Sequence, residues 1–404
     1  MGKVNVRKRG TTWEYRFEAA KIGGNRKQIT KGGFRTQGEA LKAGTAALNE
    51  YNNTGSAFTP SELSVADYLD YWLNHNIKPN LSYNTYIDYE RYIRVHLKPV
   101  FGSYRLNALS NNPAAIQDWI TGLKTKGYSR SMIVNVLACL SGAFNYAVMP
   151  CKYITVNPCS YVKVPAIKVS QEKKAHKEYV CSTDDFKKII TRFDSNSNFY
   201  IPLMLGYYLG TRIGESYGID FHDIDYENMT ISINRQIQRE GKNWVYKNPK
   251  YDSFRTLKVN KEILDILKHE SIKQKKNRLR YGEYYIKSYI DEHNKIIQLP
   301  ASIDTKYSEV MPVSVRENGE LLTPESFKYC AKVIHNELNN PLFHSHCLRH
   351  THGTILAENG INPKTVMERL GHKDISTTLQ TYTFNTEKMQ DACVNVLENI
   401  IVHA

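Results

Sequence analysis

The chain has little of what a membrane or secreted protein requires. Its longest apolar stretch, IPLMLGYYLG at residues 201–210, is well short of the roughly 18 apolar residues of a membrane span. The first residues, MGKVNVRKRG, carry charge, and no apolar segment follows them, so no secretory signal is predicted. We therefore expect a protein without a membrane partner.

Cysteine is also sparse, and its pattern suggests no pairing. The chain has 7 cysteines, an odd number, and no CxxC pair, so neither a disulfide framework nor a zinc ribbon is indicated. This cysteine usage predicts a reducing, cytoplasmic location. With 404 residues, 41% of them apolar and 23% charged, the composition is that of an ordinary globular protein with two or three domains.

Acidic residues are outnumbered, with 40 against 54 lysines and arginines, so the formal net charge is +14. A basic excess of this size indicates a polyanionic partner, and it favours nucleic acid over an anionic membrane surface. The excess is uneven along the chain. Residues 1–59 contain eleven basic and four acidic residues, which gives +7, half of the total.

Residues 1–59 predict a small sheet followed by one helix. The segments KVNVRKRG, TWEYRFEAA and NRKQITKGG alternate apolar with polar residues between glycine-containing breaks, which is typical of three antiparallel strands. The segment TQGEALKAGTAALNEYN then has helical spacing. Basic side chains on such a sheet could contact DNA phosphates, although a solvated edge sheet would carry the same residues. The candidate contacts are Arg7, Lys8, Arg9, Arg16, Arg26 and Lys27.

Residues 60–168 predict a bundle of four helices. The linker GSAFTPSE precedes them, and short connections that contain proline or glycine separate them. Arg91 and Arg94 on the predicted surface are further candidates for contacts to a DNA backbone, although such positions are more often simply solvated. The apolar positions that define the helices are Val65, Tyr68, Leu69, Trp72, Tyr86, Tyr89, Ile93, Leu97, Ile116, Ile120, Leu123, Ile133, Val136, Leu137, Leu140 and Phe144.

Residues 169–404 predict a third, mixed domain after the charged linker KVPAIKVSQEKKAHKE. Its helices are interrupted by MTISINRQIQ and FRTLKVN, whose alternation predicts a hairpin or small sheet near residues 229–259. The tail TEKMQDACVNVLENIIVHA predicts a short helix with an apolar stripe, which could pack on its own chain or on a neighbouring protomer. The predicted fold class is therefore mainly α with small β-sheets, a multidomain α+β protein.

The segment HSHCLRHTHG, residues 344–353, raises the question of a metal site. His346 and His350 are four residues apart, as in HExxH zinc sites, but the glutamate of that motif is missing. Arg349 beside His350 would repel a cation, so no metal is predicted. Arginine suits a phosphate instead, and His346 shares its helical face.

Two other segments carry residues of the same chemical character. In GTRIGESYGI, Arg212 has Glu215 one turn later, a pair that could be purely structural when taken alone. In LGHKDISTTLQTY, Tyr382 follows His372 by ten residues. A tyrosine with a pKa of about 10 becomes a nucleophile only where cations or a base favour the phenolate.

Together, GTRIGE, HCLRHTHGT and LGHKDISTTLQTY resemble the three catalytic segments of the tyrosine recombinase, or phage integrase, family. The resemblance covers the C-terminal half, and the two preceding domains are similar, more loosely, to the family's arm-binding and core-binding domains. It implies an arm-binding domain over residues 1–59, a helical core-binding domain over 60–168 and a catalytic domain with a tail helix over 169–404.

The resemblance also implies roles for single residues. Arg212 and Arg349 would clamp the scissile phosphate, His346 and His372 would complete the pocket, and Tyr382 would attack. The expected product is a 3′-phosphotyrosine that is resolved through a Holliday junction, with neither metal, ATP nor another cofactor. Glu215 matches the acidic position that supports the first arginine.

The general acid of the family is a lysine on a β-turn, often within PKTxxSxR. This chain reads NPKYDSFRT, which has Tyr251 in place of the threonine and one residue fewer. Lys250 is the predicted general acid and Lys247 the alternative, while a merely solvated lysine is the plain interpretation of either.

The resemblance implies double-stranded attachment sites as substrate, a homotetramer on DNA formed from free monomers, and an accessory excision or DNA-bending protein. A type IB topoisomerase is the nearest alternative, but lysine commonly takes the place of His346 there. A DNA-binding regulator that does not cleave is a second alternative, which the complete set of catalytic residues disfavours.

Overall fold

The computed structural model describes residues 3–22, 25–54, 63–167, 179–374 and 376. The chain divides into two compact units, Met1–Lys168 and Val169–Ala404. Helices dominate both units and the sheets are small and antiparallel, so the predicted fold class is confirmed.

The first unit begins with a three-stranded sheet in the order β1-β2-β3 and a helix packed on it. Alternation along β2 directs Tyr15 and Phe17 to the helix, where both are buried. The helix comes close to the sheet because Gly44 has no side chain: a Cβ there would lie 2.6 Å from Val4 Cγ1 and 2.8 Å from Tyr15 Cβ. The elements are β1 (Asn5–Arg9), β2 (Thr12–Ile22), β3 (Asn25–Phe34) and α1 (Gln37–Thr54).

The same unit contains a bundle with its own core. Ser64, Ser82, Asn112 and Ser129 begin its main helices by accepting hydrogen bonds from backbone N–H groups of the first turn. The π-helical turns Leu73–Ile77 and Ile93–Leu97 continue α2 into α3 and α4 into α5. The helices are α2 (Val65–Trp72), α3 (Lys78–Asn80), α4 (Tyr83–Tyr92), α5 (Lys98–Phe101), α6 (Leu106–Ser110), α7 (Pro113–Thr125) and α8 (Arg130–Val148).

The predicted apolar positions form the core of this bundle, with Trp72, Leu97 and Ile120 each at most 1% exposed. Tyr86, Tyr89 and Leu137 are partly buried against it. Helix α8 is long and apolar enough to cross a membrane by length and composition alone. Its apolar face packs into the bundle core instead.

The second unit surrounds one large apolar core with helices and three small sheets. Its helices are α9 (Thr183–Arg192), α10 (Tyr200–Leu209), α11 (Ile213–Gly218), α12 (Lys261–Tyr281), α13 (Phe327–Glu337), α14 (Ser345–Glu358) and α15 (Pro363–Leu370). Its strands are β4 (Ile224–Asp225), β5 (Thr230–Ile233), β6 (Gln236–Glu240), β7 (Asn243–Lys247), β8 (Arg255–Lys258), β9 (Ile286–Ile290), β10 (Ile296–Pro300) and β11 (Ser308–Val310).

The sheet predicted near residues 229–259 is present as β4-β5-β8 together with the hairpin β6-β7. A further sheet, in the order β10-β9-β11, was not predicted. Its strands are at most five residues long and follow the charged helix α12, so each is too short to show a clear period. The predicted tail helix lies outside the described residues.

The contact at Gly44 leads to a testable prediction about the N-terminal sheet. Gly44→Ala should lower the free energy of unfolding of this module by about 1–3 kcal/mol, because the added methyl group overpacks a filled interface. Gly38→Ala in the same helix is the matched control, since nothing lies within 4 Å of its Cβ position. That change should stabilise the module by about 0.5–1 kcal/mol. Hydrogen exchange of the β2 amides in the full chain measures both, and equal protection in the two variants would contradict the packing described.

Candidate active site

Arg212 is the N-cap residue of a short helix and is held there by Glu215. Helix α10 ends at Gly210, and the chain re-enters helix α11 just after Arg212. The backbone N–H of Arg212 donates to Glu215 Oε2 at 2.9 Å, and Arg212 Nη1 donates to Glu215 Oε1 at 2.7 Å. The carboxylate therefore fixes both the backbone and the guanidinium of Arg212.

A second arginine shares the same carboxylate. Arg255, at the start of β8, donates from Nη2 to Glu215 Oε2 at 2.8 Å. Burial alone would raise the pKa of Glu215, which is fully buried, but Arg255 and Arg212 together lower this pKa to about 2. One ionised carboxylate thus faces two guanidinium groups, and this triad retains a positive charge.

Arg349, in the middle of α14, is completely buried. Its Nη1 donates to the carbonyl oxygen of Gly210 at 2.9 Å, and its Nη2 donates to that of Leu370 at 2.5 Å. Arg212 Nη2 donates to the next carbonyl, that of Gly371, at 3.1 Å. The two arginines predicted to clamp a phosphate therefore converge on the last turn of α15.

His346 and His372 lie in the electrostatic field of these arginines. Desolvation by surrounding protein atoms and the charge of Arg349 lower the pKa of His346 to about 4, although the residue is exposed. Burial and the charges of Arg349 and Arg212 lower the pKa of the half-buried His372 to about 3. Both imidazoles are therefore neutral at neutral pH and can accept a proton.

The two candidate lysines lie on the β6-β7 hairpin and the turn after it. Lys250 is exposed, and its Nζ lies 5.0 Å from the centre of the Tyr251 ring. Lys247 pairs with Glu240 at 3.0 Å across the hairpin. The turn contacts the site through Ser253, whose hydroxyl accepts from Arg212 Nη1 at 3.3 Å. The structure thus brings the segment of Lys250 to the site without placing its ammonium group on the arginines.

The other histidines of the opening segment have different surroundings. His350 is buried, and its Nδ1 lies 3.5 Å from Thr354 Oγ1 within the same helix. His352 is buried as well, with Nδ1 3.0 Å from the carbonyl oxygen of Tyr207, and His344 precedes the first turn of α14. Within the described ranges, no group of three or more His, Cys, Asp or Glu side chains could hold a metal ion.

Tyr382, the predicted nucleophile, lies outside the described residues. Gly371 and His372, at the start of its segment, belong to the site described above.

The N-terminal candidates divide between the two faces of the sheet. Arg7 and Arg9 both pair with the buried carboxylate of Glu14, yet they remain 56% and 79% exposed. Period-two alternation places Arg16 on the same face, opposite α1, and Lys8 on the other face. The side chains of Arg26 and Lys27 lie outside the described part of the chain.

In the bundle, Arg91 and Arg94 form exposed ion pairs within α4 and the turn that follows it. Their partners are Asp88 and Glu90, each at 2.8 Å. Exposed pairs of this kind contribute little to stability, so little stability would be lost if a phosphate replaced either carboxylate.

Three residues of the site were not predicted from the sequence: Ser253, Arg255 and Arg369. The first two occupy the serine and arginine positions of the segment NPKYDSFRT, which was analysed only for its lysine. Arg369 Nε donates to His352 Nε2 at 3.0 Å. Ser253 and Arg255 could have been identified only from the serine and arginine positions of the family pattern PKTxxSxR. No motif or periodicity in the sequence indicates Arg369.

The chain belongs to the phage integrase family, because the profile of that family matches residues 182–389, more than half of the chain. It is therefore a DNA strand-transfer enzyme of the tyrosine recombinase type, and DNA is its partner. The profile of the N-terminal SAM-like domain of phage integrases matches residues 64–124, and that of an arm DNA-binding domain matches residues 5–51.

Curated relatives match over almost the whole chain. A XerC-like tyrosine recombinase of Caldanaerobacter subterraneus subsp. tengcongensis is 26% identical, over 90% of this chain and 91% of its own. The integrase of Staphylococcus phage L54a is 25% identical, over 88% of this chain and 98% of its own. These similarities favour a recombinase over the topoisomerase and non-cleaving alternatives.

Solved structures share the fold. The Tn1549 transposon integrase in complex with transposon right end DNA aligns with a TM-score of 0.63 and 21% identity, over 83% of this chain and 100% of that one. A lambda integrase dimer bound to a COC′ core site aligns with a TM-score of 0.54 and 14% identity, over 95% of each chain.

The lowered histidine pKa values predict that acid weakens the catalytic unit. Because the ordinary pKa of 6.5 falls to about 4 for His346 and about 3 for His372 on folding, the unfolded chain binds more protons below pH 6.5. The free energy of unfolding should therefore fall as the pH drops from 6.5 towards 4. Urea unfolding from about pH 7.5 to about pH 5 measures this slope. The slope should be smaller in His346→Gln/His372→Gln, and an unchanged slope would contradict the lowered pKa values.

Proposed function

We propose that this site cleaves and rejoins DNA at the attachment sites of a mobile element through a covalent bond between Tyr382 and a 3′-phosphate. The observation that carries the proposal is the convergence of Arg212 and Arg349 on one turn, with His372 directly after that turn and His346 in the electrostatic field of both arginines. Two guanidinium groups beside two neutral imidazoles can bind a phosphodiester and accept a proton. Phosphoryl transfer depends mainly on such positioning and charge stabilisation, which arginines can supply.

In the proposed reaction the energy of the broken phosphodiester bond is retained in the phosphotyrosine bond. The phenolic oxygen of Tyr382 attacks phosphorus and loses its proton to a neutral imidazole of the pocket, for which His346 is our candidate. The bond from phosphorus to the 5′-oxygen breaks, and Lys250 donates a proton to that oxygen. The free 5′-hydroxyl of a partner strand then attacks the phosphotyrosine and gives its proton to Lys250, while the departing Tyr382 oxygen takes back its proton from the imidazole. One such exchange forms a Holliday junction and a second resolves it.

The other domains are assigned to DNA recognition. We propose that residues 1–59 bind arm sites through the open sheet face with Arg7, Arg9 and Arg16, and that residues 60–168 bind core sites. Four protomers would assemble on the paired attachment sites, with an accessory excision or DNA-bending protein, in the cytoplasm. The similarity to integrases whose structures contain transposon-end or core-site DNA supports double-stranded DNA as the substrate.

Removing the nucleophile is the direct test of the covalent step. With EDTA present, the protein should form an SDS-resistant adduct on a nicked duplex taken from the ends of its own element. Tyr382→Phe should form none while its affinity for the same duplex stays within about twofold, because only the attacking oxygen is lost. Tyr329→Phe is the control, since Tyr329 is an exposed tyrosine of the same unit. Adduct formation by Tyr382→Phe would exclude Tyr382 as the nucleophile.

A modified leaving group tests the general acid. Lys250→Ala should slow cleavage of an ordinary phosphodiester by about 10²–10⁴-fold, the usual contribution of a positioned proton donor. A substrate with sulfur in place of the bridging 5′-oxygen should restore the rate, because a thiolate leaves without a proton. Lys247→Ala is the matched control and should cleave both substrates normally. If Lys247→Ala shows the selective loss instead, the assignment to Lys250 is wrong.

A further inference from the structure

We propose that the last turn of helix α15 is a scaffold for the arginine pocket, and that Arg255 and the His352–Arg369 pair are the positioning residues that hold it. The inference rests on the proposed function of the site and adds residues that the catalytic assignment does not include.

Three successive carbonyl oxygens at the end of α15 each accept a hydrogen bond from a different arginine. Arg255 Nε donates to the carbonyl of Arg369 at 2.8 Å, Arg349 Nη2 to that of Leu370 at 2.5 Å, and Arg212 Nη2 to that of Gly371 at 3.1 Å. The last carbonyls of a helix lack intrahelical donors and lie at its negative end. The turn therefore attracts and orients all three guanidinium groups.

The same turn also fixes His372. Gly371 adopts a left-handed conformation with φ +65°, and a Cβ there would lie 3.0 Å from Arg255 Nη1. His372 follows directly, and its backbone N–H donates to the carbonyl of Met367 at 3.0 Å. A displacement of this turn would therefore move His372 together with the hydrogen-bond partners of Arg212 and Arg349.

Arg255 links the turn to the carboxylate that holds Arg212. Besides the carbonyl of Arg369, it contacts both oxygens of Glu215, at 2.8 and 3.4 Å. All three of its side-chain nitrogens donate to protein oxygens, Nη1 also to the carbonyl of Ser253 at 3.2 Å, so it is suited to hold the pocket. Without Arg255, Glu215 would pair more strongly with Arg212 and draw its guanidinium away from the substrate.

The His352–Arg369 pair secures the same turn from the other side. His352 Nδ1 lies 3.0 Å from the carbonyl of Tyr207 and must donate to it, which leaves Nε2 as the acceptor for Arg369 Nε at 3.0 Å. Arg369 Nη1 donates to the carbonyl of Lys258 at 3.0 Å. The pair thus ties the end of α15 to α10 and to β8.

The test compares the cleavage rates of Arg255 variants on two substrates, a duplex with an ordinary scissile phosphodiester and a duplex with a neutral methylphosphonate at that position. Arg255→Gln removes the charge, and Arg255→Lys keeps it without the planar donors. The matched control is Arg235→Gln, since Arg235 also pairs with a buried carboxylate, that of Asp223, at 2.9 Å. DNA affinity and the thermal midpoint are measured for every variant, and adduct formation is followed on a nicked duplex.

We expect Arg255→Gln to form adduct about 100-fold more slowly, the loss typical of misplaced catalytic groups, with DNA affinity within about threefold. Arg255→Lys should lose about tenfold and Arg235→Gln less than about threefold. On a duplex with a neutral methylphosphonate at the scissile position, the loss in Arg255→Gln should shrink to less than about tenfold, because there is less negative charge for the arginines to stabilise.

A purely structural role would slow both substrates equally, so an equal loss of Arg255→Gln on the phosphodiester and on the methylphosphonate would overturn the proposal. Equal losses in Arg255→Gln and Arg255→Lys on the phosphodiester, or unchanged rates, would also overturn it. The second anchor, the His352–Arg369 pair, is tested separately. His352→Gln retains an acceptor for Arg369 and should form adduct faster than His352→Leu, and equal rates would remove that pair from the scaffold.

Adduct formation by the unaltered chain distinguishes failure of the proposed function from failure of the scaffold proposal. If that chain forms none, the proposed function fails; if it does and the variants behave like it, only the scaffold fails.

Discussion

Glu215 is a fully buried carboxylate that accepts hydrogen bonds from two guanidinium groups and one backbone N–H, and the site depends on this arrangement. A buried charge is tolerated only where its partners are well placed. Here the partners begin two different elements, α11 and β8, so satisfying one carboxylate fixes the relative position of both. Arg255 then extends the connection to the end of α15.

The positive charge of this site has a second consequence, for the histidines. Desolvation and the nearby charges of Arg349 and Arg212 lower the pKa of His346 and His372, so both imidazoles are neutral at neutral pH. A phosphate between them would offset part of that repulsion and favour proton uptake. The same field that binds the substrate therefore prepares the imidazoles to receive the proton that an attacking hydroxyl must lose.

Much of this architecture could be predicted from the sequence because it follows from periodicity and from motifs. The helical spacing identified core positions such as Trp72 and Leu97, and three short segments identified Arg212, His346, Arg349 and His372, which the fold brings together. The sheet β10-β9-β11 was missed because strands of at most five residues carry too weak a pattern.

The contacts of Arg255 and Arg369 could not be predicted for a different reason. Their partners are largely backbone carbonyls. Every residue has one, so the residue types in the sequence do not show which carbonyls accept these hydrogen bonds. Their positions in the sequence are more than a hundred residues apart, so only the folded chain shows that both secure one turn.

The most direct test of the central claim is a crystal structure of the protein on nicked core DNA with orthovanadate in place of the scissile phosphate. We expect Arg212, His346, Arg349 and His372 to surround the equatorial vanadate oxygens, with the Tyr382 oxygen at one apex. Vanadate bound away from the last turn of α15, or with another side chain at the apex, would contradict it.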